Sequence, residues 1–179
     1  MPEAGEHSPV LIAISHQARE RQIASGDPRT LRANCTIIIV FSAYYIEATL
    51  NSIIDQMNMR SKMDAFLNPR NLTHFHPGMQ AKLAWFYNEF VATKKAADKA
   101  ELGTMKIYDQ LEIKFPGYAE IRDFRNGVSH GKIGSVANDL AEALRLRELA
   151  KNIGTELLAI AQTYDPNVDA DTTYWDAIT

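Results

Sequence analysis

The sequence predicts an all-α protein, an antiparallel bundle of about five to six helices in one domain. Three observations carry this. Apolar residues recur at helical spacing along nearly the whole chain, and no sustained period-two alternation appears. Turn signals are few and sit between long periodic stretches, so the connections are short and neighbouring helices run antiparallel. The chain has 179 residues, enough for one full core and short for two.

The elements follow in order. Residues from roughly 8 to 24 form a first amphipathic helix that ends near Ser25-Gly26. Asp27-Pro28 then supplies an N-cap and a proline at the first helical position, where its missing N–H is harmless. The helix that follows runs to about Asn58, and from Ile37 to Ile46 it is apolar nearly all round, which marks a central buried helix. Asn68-Pro69-Arg70-Asn71 and Pro77-Gly78 bracket a loop. Met79, Leu83, Phe86, Tyr87, Phe90 and Val91 give a third long helix, with Lys94 to Glu101 as its polar continuation and Gly103 as its end. A shorter helix from Met105 to Phe115 stops at Pro116-Gly117. The next begins near Tyr118 and closes at Gly131. Ser135 caps the last helix, in which Val136, Leu140, Ala143, Leu146, Ile153, Leu157 and Ile160 keep the period. The core spans about 30–162, and an acidic tail over 165–179 has Tyr174 and Trp175 as its only anchors.

Composition narrows the function. A formal charge of −3 argues against a whole-surface nucleic-acid binder but leaves room for a local basic pocket. The single cysteine, Cys35, excludes an internal disulfide framework and a multi-cysteine zinc site, and it reads as a buried inert thiol. Glu47 and Asn51 interrupt the apolar helix, so it fails as a membrane span. No stretch reads as a targeting signal, and a cytoplasmic location is the expectation. His74-x-His76 sits in a Pro/Asn-rich loop without a nearby Cys or acidic ligand, so no metal site and no cofactor are expected.

The chemistry gathers in Arg125-Asn126-Gly127-Val128-Ser129-His130. Arginine holds a phosphate, and histidine moves a proton near neutral pH. At about 100° per residue, Ile121, Phe124 and Val128 fall on one face of this helix. Arg122, Arg125, Asn126, Ser129 and His130 fall on the other, within an arc of roughly 140°. The apolar stripe should face the core and leave the polar one to line a groove or an interface. Glu47 and Asn51 share a face of the central helix, with Tyr44 one step before them. A glutamate there needs a partner, and Arg122 and Arg125 are the candidates. Glu47 then either orients the site arginine or makes a plain structural ion pair. Lys94, Lys95, Lys99 and Lys106 form a basic stretch that reads first as a solvated helix end. Read as a ramp for RNA, the candidates are Lys94, Lys95, Lys99 and Lys132.

Arg-Asn-x-x-x-His on the penultimate helix of a small helical domain resembles the signature of the HEPN superfamily, with Arg125, Asn126 and His130 at its positions. The stretch Phe41 to Asn51, with Glu47 and Asn51, is similar to the early long helix of several HEPN families. The resemblance covers roughly residues 30 to 162. It implies a homodimer and a metal-independent endoribonuclease whose site forms where two motif helices meet. Many relatives are toxins or act in phage defence, often beside an antitoxin, while others have lost catalysis and only bind nucleotide, RNA or a protein partner. The residue types fit such chemistry. RNA carries its own nucleophile, the 2′-OH, so His130 as general base or acid and Arg125 as phosphate ligand suffice, with Asn126 orienting His130 or donating to the phosphate. One chain offers a single histidine for two proton transfers, and a second chain would supply the other.

Overall fold

The computed structural model describes residues 7–69, 77–130 and 139–169. Among these residues it is all helix, in eight pieces: α1 His7–Ser25, α2 Pro28–Gln56, α3 Arg60–Leu67, α4 Met79–Phe90, α5 Lys99–Thr104, α6 Ile107–Lys114, α7 Tyr118–Ser129 and α8 Leu140–Gln162. The all-α expectation holds, and the helix count exceeds the five to six expected.

The central helix is α2, against which α1, α7 and α8 all pack. Its start is fixed as the sequence suggests: the Asp27 carboxylate accepts from the Arg29 N–H, ahead of which Pro28 has no N–H to leave unpaired. Its buried stripe includes Ile38, Ile39, Ile46, Leu50, Ile53 and Ile54. By length and apolarity this helix is long enough to cross a membrane, yet 61 % of its most apolar window is buried inside the fold, so internal packing accounts for its hydropathy. Gly154 in α8 lets Tyr45 of α2 approach the α8 backbone.

One helix is added and two expectations are corrected. After α2 the chain turns through Asn58, at φ 54°, into α3, a helix the sequence pattern did not reveal because only Met63 and Leu67 of its eight residues are buried. The stretch Lys94 to Glu101 does not continue the third helix. The buried Asn88 side chain accepts from the Ala96 N–H (2.7 Å) and donates to the Ala96 carbonyl (3.2 Å), which folds the chain back on itself. Asp98 then caps α5, and Gly103 lies inside that helix rather than ending one. Lastly, α8 is capped by Asp139, whose carboxylate accepts from the Ala141 and Glu142 N–H groups. Ser135, Gly131, Tyr174 and Trp175 lie outside the described residues. The tail begins with an anchor of its own: Val168 is buried, and Gln56 exchanges two hydrogen bonds with the Asp169 backbone.

Candidate functional site

The helix that carries the hexapeptide is anchored at its start. Gly117 at φ 82° turns the chain from α6 into α7 and packs so closely on Leu149 that a Cβ has no room. The Glu112 carboxylate accepts from the Gly117 and Ala119 N–H groups (2.7 and 2.8 Å), which caps the new helix from the preceding one. Tyr118 and Ile121 are buried and Phe124 packs on the core, so the predicted apolar face points inward at those positions, while Val128 is only half-buried. Burial pushes the Tyr118 hydroxyl well above its usual range, opposed by the charge of Arg122.

Past Phe124 the residues of the helix are half-buried or exposed. Arg125 is turned against α2: its Nη2 lies 3.7 Å from Glu47 Oε2, and its guanidinium sits 5.6 Å from the Tyr44 ring centroid. Its Nη1 donates at 3.4 Å to Asn126 Oδ1. The other oxygen of Glu47 is taken by a residue the sequence reading missed. Lys82, 9 % exposed on α4, donates from Nζ to Glu47 Oε1 at 3.0 Å and to Asn51 Oδ1 at 3.1 Å. Lys82 thus joins Glu47 and Asn51, and through Glu47 it reaches Arg125. Beside this cluster a groove of ≈ 390 Å³ opens on α2, lined by Tyr44, Glu47, Ala48, Asn51 and Asp55 together with Leu11 and Arg60.

The remaining expected residues take other positions. Arg122 does not pair with Glu47. Its Nε and Nη2 lie 2.8 and 2.7 Å from Asp123 Oδ1, and its guanidinium lies over the Tyr118 ring. Asn126 and Ser129 are exposed, and the Ser129 hydroxyl donates to the Arg125 carbonyl. His130 is the exposed C-cap, and its backbone N–H donates to the Asn126 and Gly127 carbonyls (3.1 and 3.2 Å). Lys94, Lys95 and Lys99 are exposed. They follow the far end of α4, eight residues or about 12 Å along the helix from Lys82. Lys95 stands 3.7 Å from Glu89 there. Lys132, His74 and His76 lie outside the described residues.

The cluster is therefore cationic in balance, with two cations on one carboxylate, and it presents a planar guanidinium 29 % exposed. Such a group takes a phosphate or carboxylate in a bidentate grip. Among the described residues no group of three His, Cys, Asp or Glu side chains is placed to hold a metal ion. No family model, no curated protein and no solved structure matches the chain, so these residues and their geometry are what bear on function.

Proposed function

We propose that the chain is a metal-independent endoribonuclease of the HEPN type that acts as a homodimer. One observation carries the reading: on a single helix, Arg125 is drawn half-buried against Glu47 and Tyr44 while His130 stands exposed five residues further on. The guanidinium grips the scissile phosphate and stabilises the charge that grows on its oxygens. A histidine takes the 2′-OH proton as that oxygen attacks phosphorus. The P–O5′ bond breaks, a second proton goes to the leaving oxygen, and the products are a 2′,3′-cyclic phosphate and a 5′-OH end. Because each chain has one such histidine, the two transfers draw on both protomers.

The test is cleavage of labelled RNA in EDTA. Wild-type protein is expected to give cyclic-phosphate ends, and Arg125→Ala and His130→Ala each to lose activity by about 100-fold or more. Mixing the two inactive variants should not restore activity, because every mixed dimer then holds a single histidine for the two proton transfers. Cleavage that survives in His130→Ala refutes the reading. RNA binding without cleavage points instead to a non-catalytic binding module.

A further inference from the structure

We propose that Lys82 is the positioning residue that keeps Arg125 available to an anion, by holding Glu47 away from it. The inference rests on Arg125 being a phosphate ligand, but its central claim concerns the unliganded protein.

The distances set up a competition. Glu47 has one carboxylate and two cations beside it. Lys82 Nζ is at hydrogen-bond distance, 3.0 Å, while Arg125 Nη2 is at 3.7 Å, outside the range of a charge-assisted hydrogen bond. Lys82 is the more buried of the two, with 11 % of its side chain exposed against 29 % for Arg125. A second acceptor, Asn51 Oδ1, holds the same ammonium at 3.1 Å, so Lys82 is fixed from two sides. Arg125 is left with a long contact to Glu47, a 3.4 Å bond to Asn126 and the face of Tyr44. None of these uses its fork in a bidentate way.

Remove the ammonium and the balance reverses. Glu47, with 22 % of its side chain exposed, cannot stay unpaired at low cost. The cation left beside it is Arg125, and a short rotation brings both carboxylate oxygens onto the guanidinium fork. An arginine paired in this way has to lose that carboxylate before it can grip a phosphate. A buried lysine on α4 thus governs an arginine on α7 through the Glu47 carboxylate that stands beside both.

Two measurements test this. The first needs no RNA: rotation about the Arg125 Nε–Cζ bond, read by NMR in the free protein. Lys82→Met should slow it severalfold, and Lys82→Met with Glu47→Gln should return it to the wild-type rate. If Lys82→Met does not fold, Lys82→Gln, which keeps a donor but no charge, should shift the rate in the same direction. The second is the affinity for a dye-labelled 2′-O-methyl oligoribonucleotide, which cannot be cleaved. Lys82→Met should weaken binding about fivefold in the presence of Arg125 and leave it unchanged in an Arg125→Ala background. An unchanged Arg125 rotation rate in the lysine variants overturns the proposal. So does an equal loss of affinity with and without Arg125, which would mean that Lys82 contributes only its own charge. If the oligonucleotide fails to bind wild-type protein, the ribonuclease reading fails, and the rotation measurement still decides the role of Lys82.

Discussion

Replacing Gly154 by alanine tests the seam between α8 and α2, on which the position of the candidate site depends. In an exposed helix interior this change stabilises by about 1 kcal/mol, since glycine is the poorer helix former. Here an added Cβ would lie 2.5 Å from Tyr45 Oη, 2.7 Å from Cε1 and 2.8 Å from Cζ. Ordinary contact distances are about 3.5–4.0 Å, so two ring carbons and the hydroxyl oxygen are each too close by roughly 1 Å. Tyr45 is only 4 % exposed, and its ring cannot swing into solvent. The two helices must separate instead, at the upper end of the overpacking range of about 1–3 kcal/mol. Set against the helix-propensity gain, Gly154→Ala should destabilise by about 2 kcal/mol. Urea unfolding followed by far-UV circular dichroism measures it. Tyr45→Phe removes the closest atom but leaves the ring carbons, so a double-mutant cycle should recover less than half of the loss. A Gly154→Ala protein more stable than wild type would refute this packing of α8 on α2.

Two further predictions concern the start of α7 and the middle of α1. Glu112→Ala should destabilise by about 1 kcal/mol, because two N–H groups at the start of α7 lose their acceptor, and hydrogen exchange should quicken at Gly117 and Ala119 before it does in α2. His16 is held below its ordinary pKa by burial and by the charges of Arg147 and Arg19, against the opposing pull of Glu20. The native state thus binds that proton less readily than the unfolded chain, which takes it up near pH 6.5. Its contribution to stability is complete above that pH and falls as pH drops below it. His16→Gln should therefore flatten the fall in urea midpoint between pH 7.5 and 5.5, and an equal slope in both proteins would exclude His16 as the cause.

Much of the fold was legible because its long helices advertise themselves. Asp27-Pro28 gave the start of α2 to the residue, and the run from Ile37 to Ile46 marked it as central. The face of α7 was legible for the same reason, since Ile121 and Phe124 fall three apart. What escaped is short or depends on a side chain. Eight residues with two inward positions do not display a period, which hid α3. The fold-back before α5 rests on the amide of Asn88, although Asp98 with Glu101 three residues later is a helix-start signature that was present to be read. Lys82 left a sharper signal. It lies three residues after Met79 and four before Phe86, on the same helix face as both, and a lysine in an apolar stripe calls for a buried acidic partner. Following that rule would have led from Lys82 to Glu47. The pairing of Glu47 with Arg125 rather than Arg122 was not legible, because Arg122 is diverted by its neighbour Asp123.

The two ends of the hexapeptide are treated oppositely, and that difference bears on how many chains make a site. Arg125 is tied to α2, and the groove next to it belongs to α2 as well. His130 follows the last helical residue, with its backbone N–H bonded and its side chain exposed. Five residues along a helix are about 7.5 Å of rise and roughly 140° of rotation. In the proposed reading, a phosphate held by Arg125 against Glu47 and Tyr44 would lie around the helix from the His130 of the same chain, and one protomer would bring them together poorly. The exposed polar arc of Asn126, Ser129 and His130 has the opposite property, since it is free to face a second α7. A two-fold axis beside that arc would place each His130 near the other chain's Arg125 and supply both proton transfers at once. This asymmetry favours a composite site over one contained in a single chain.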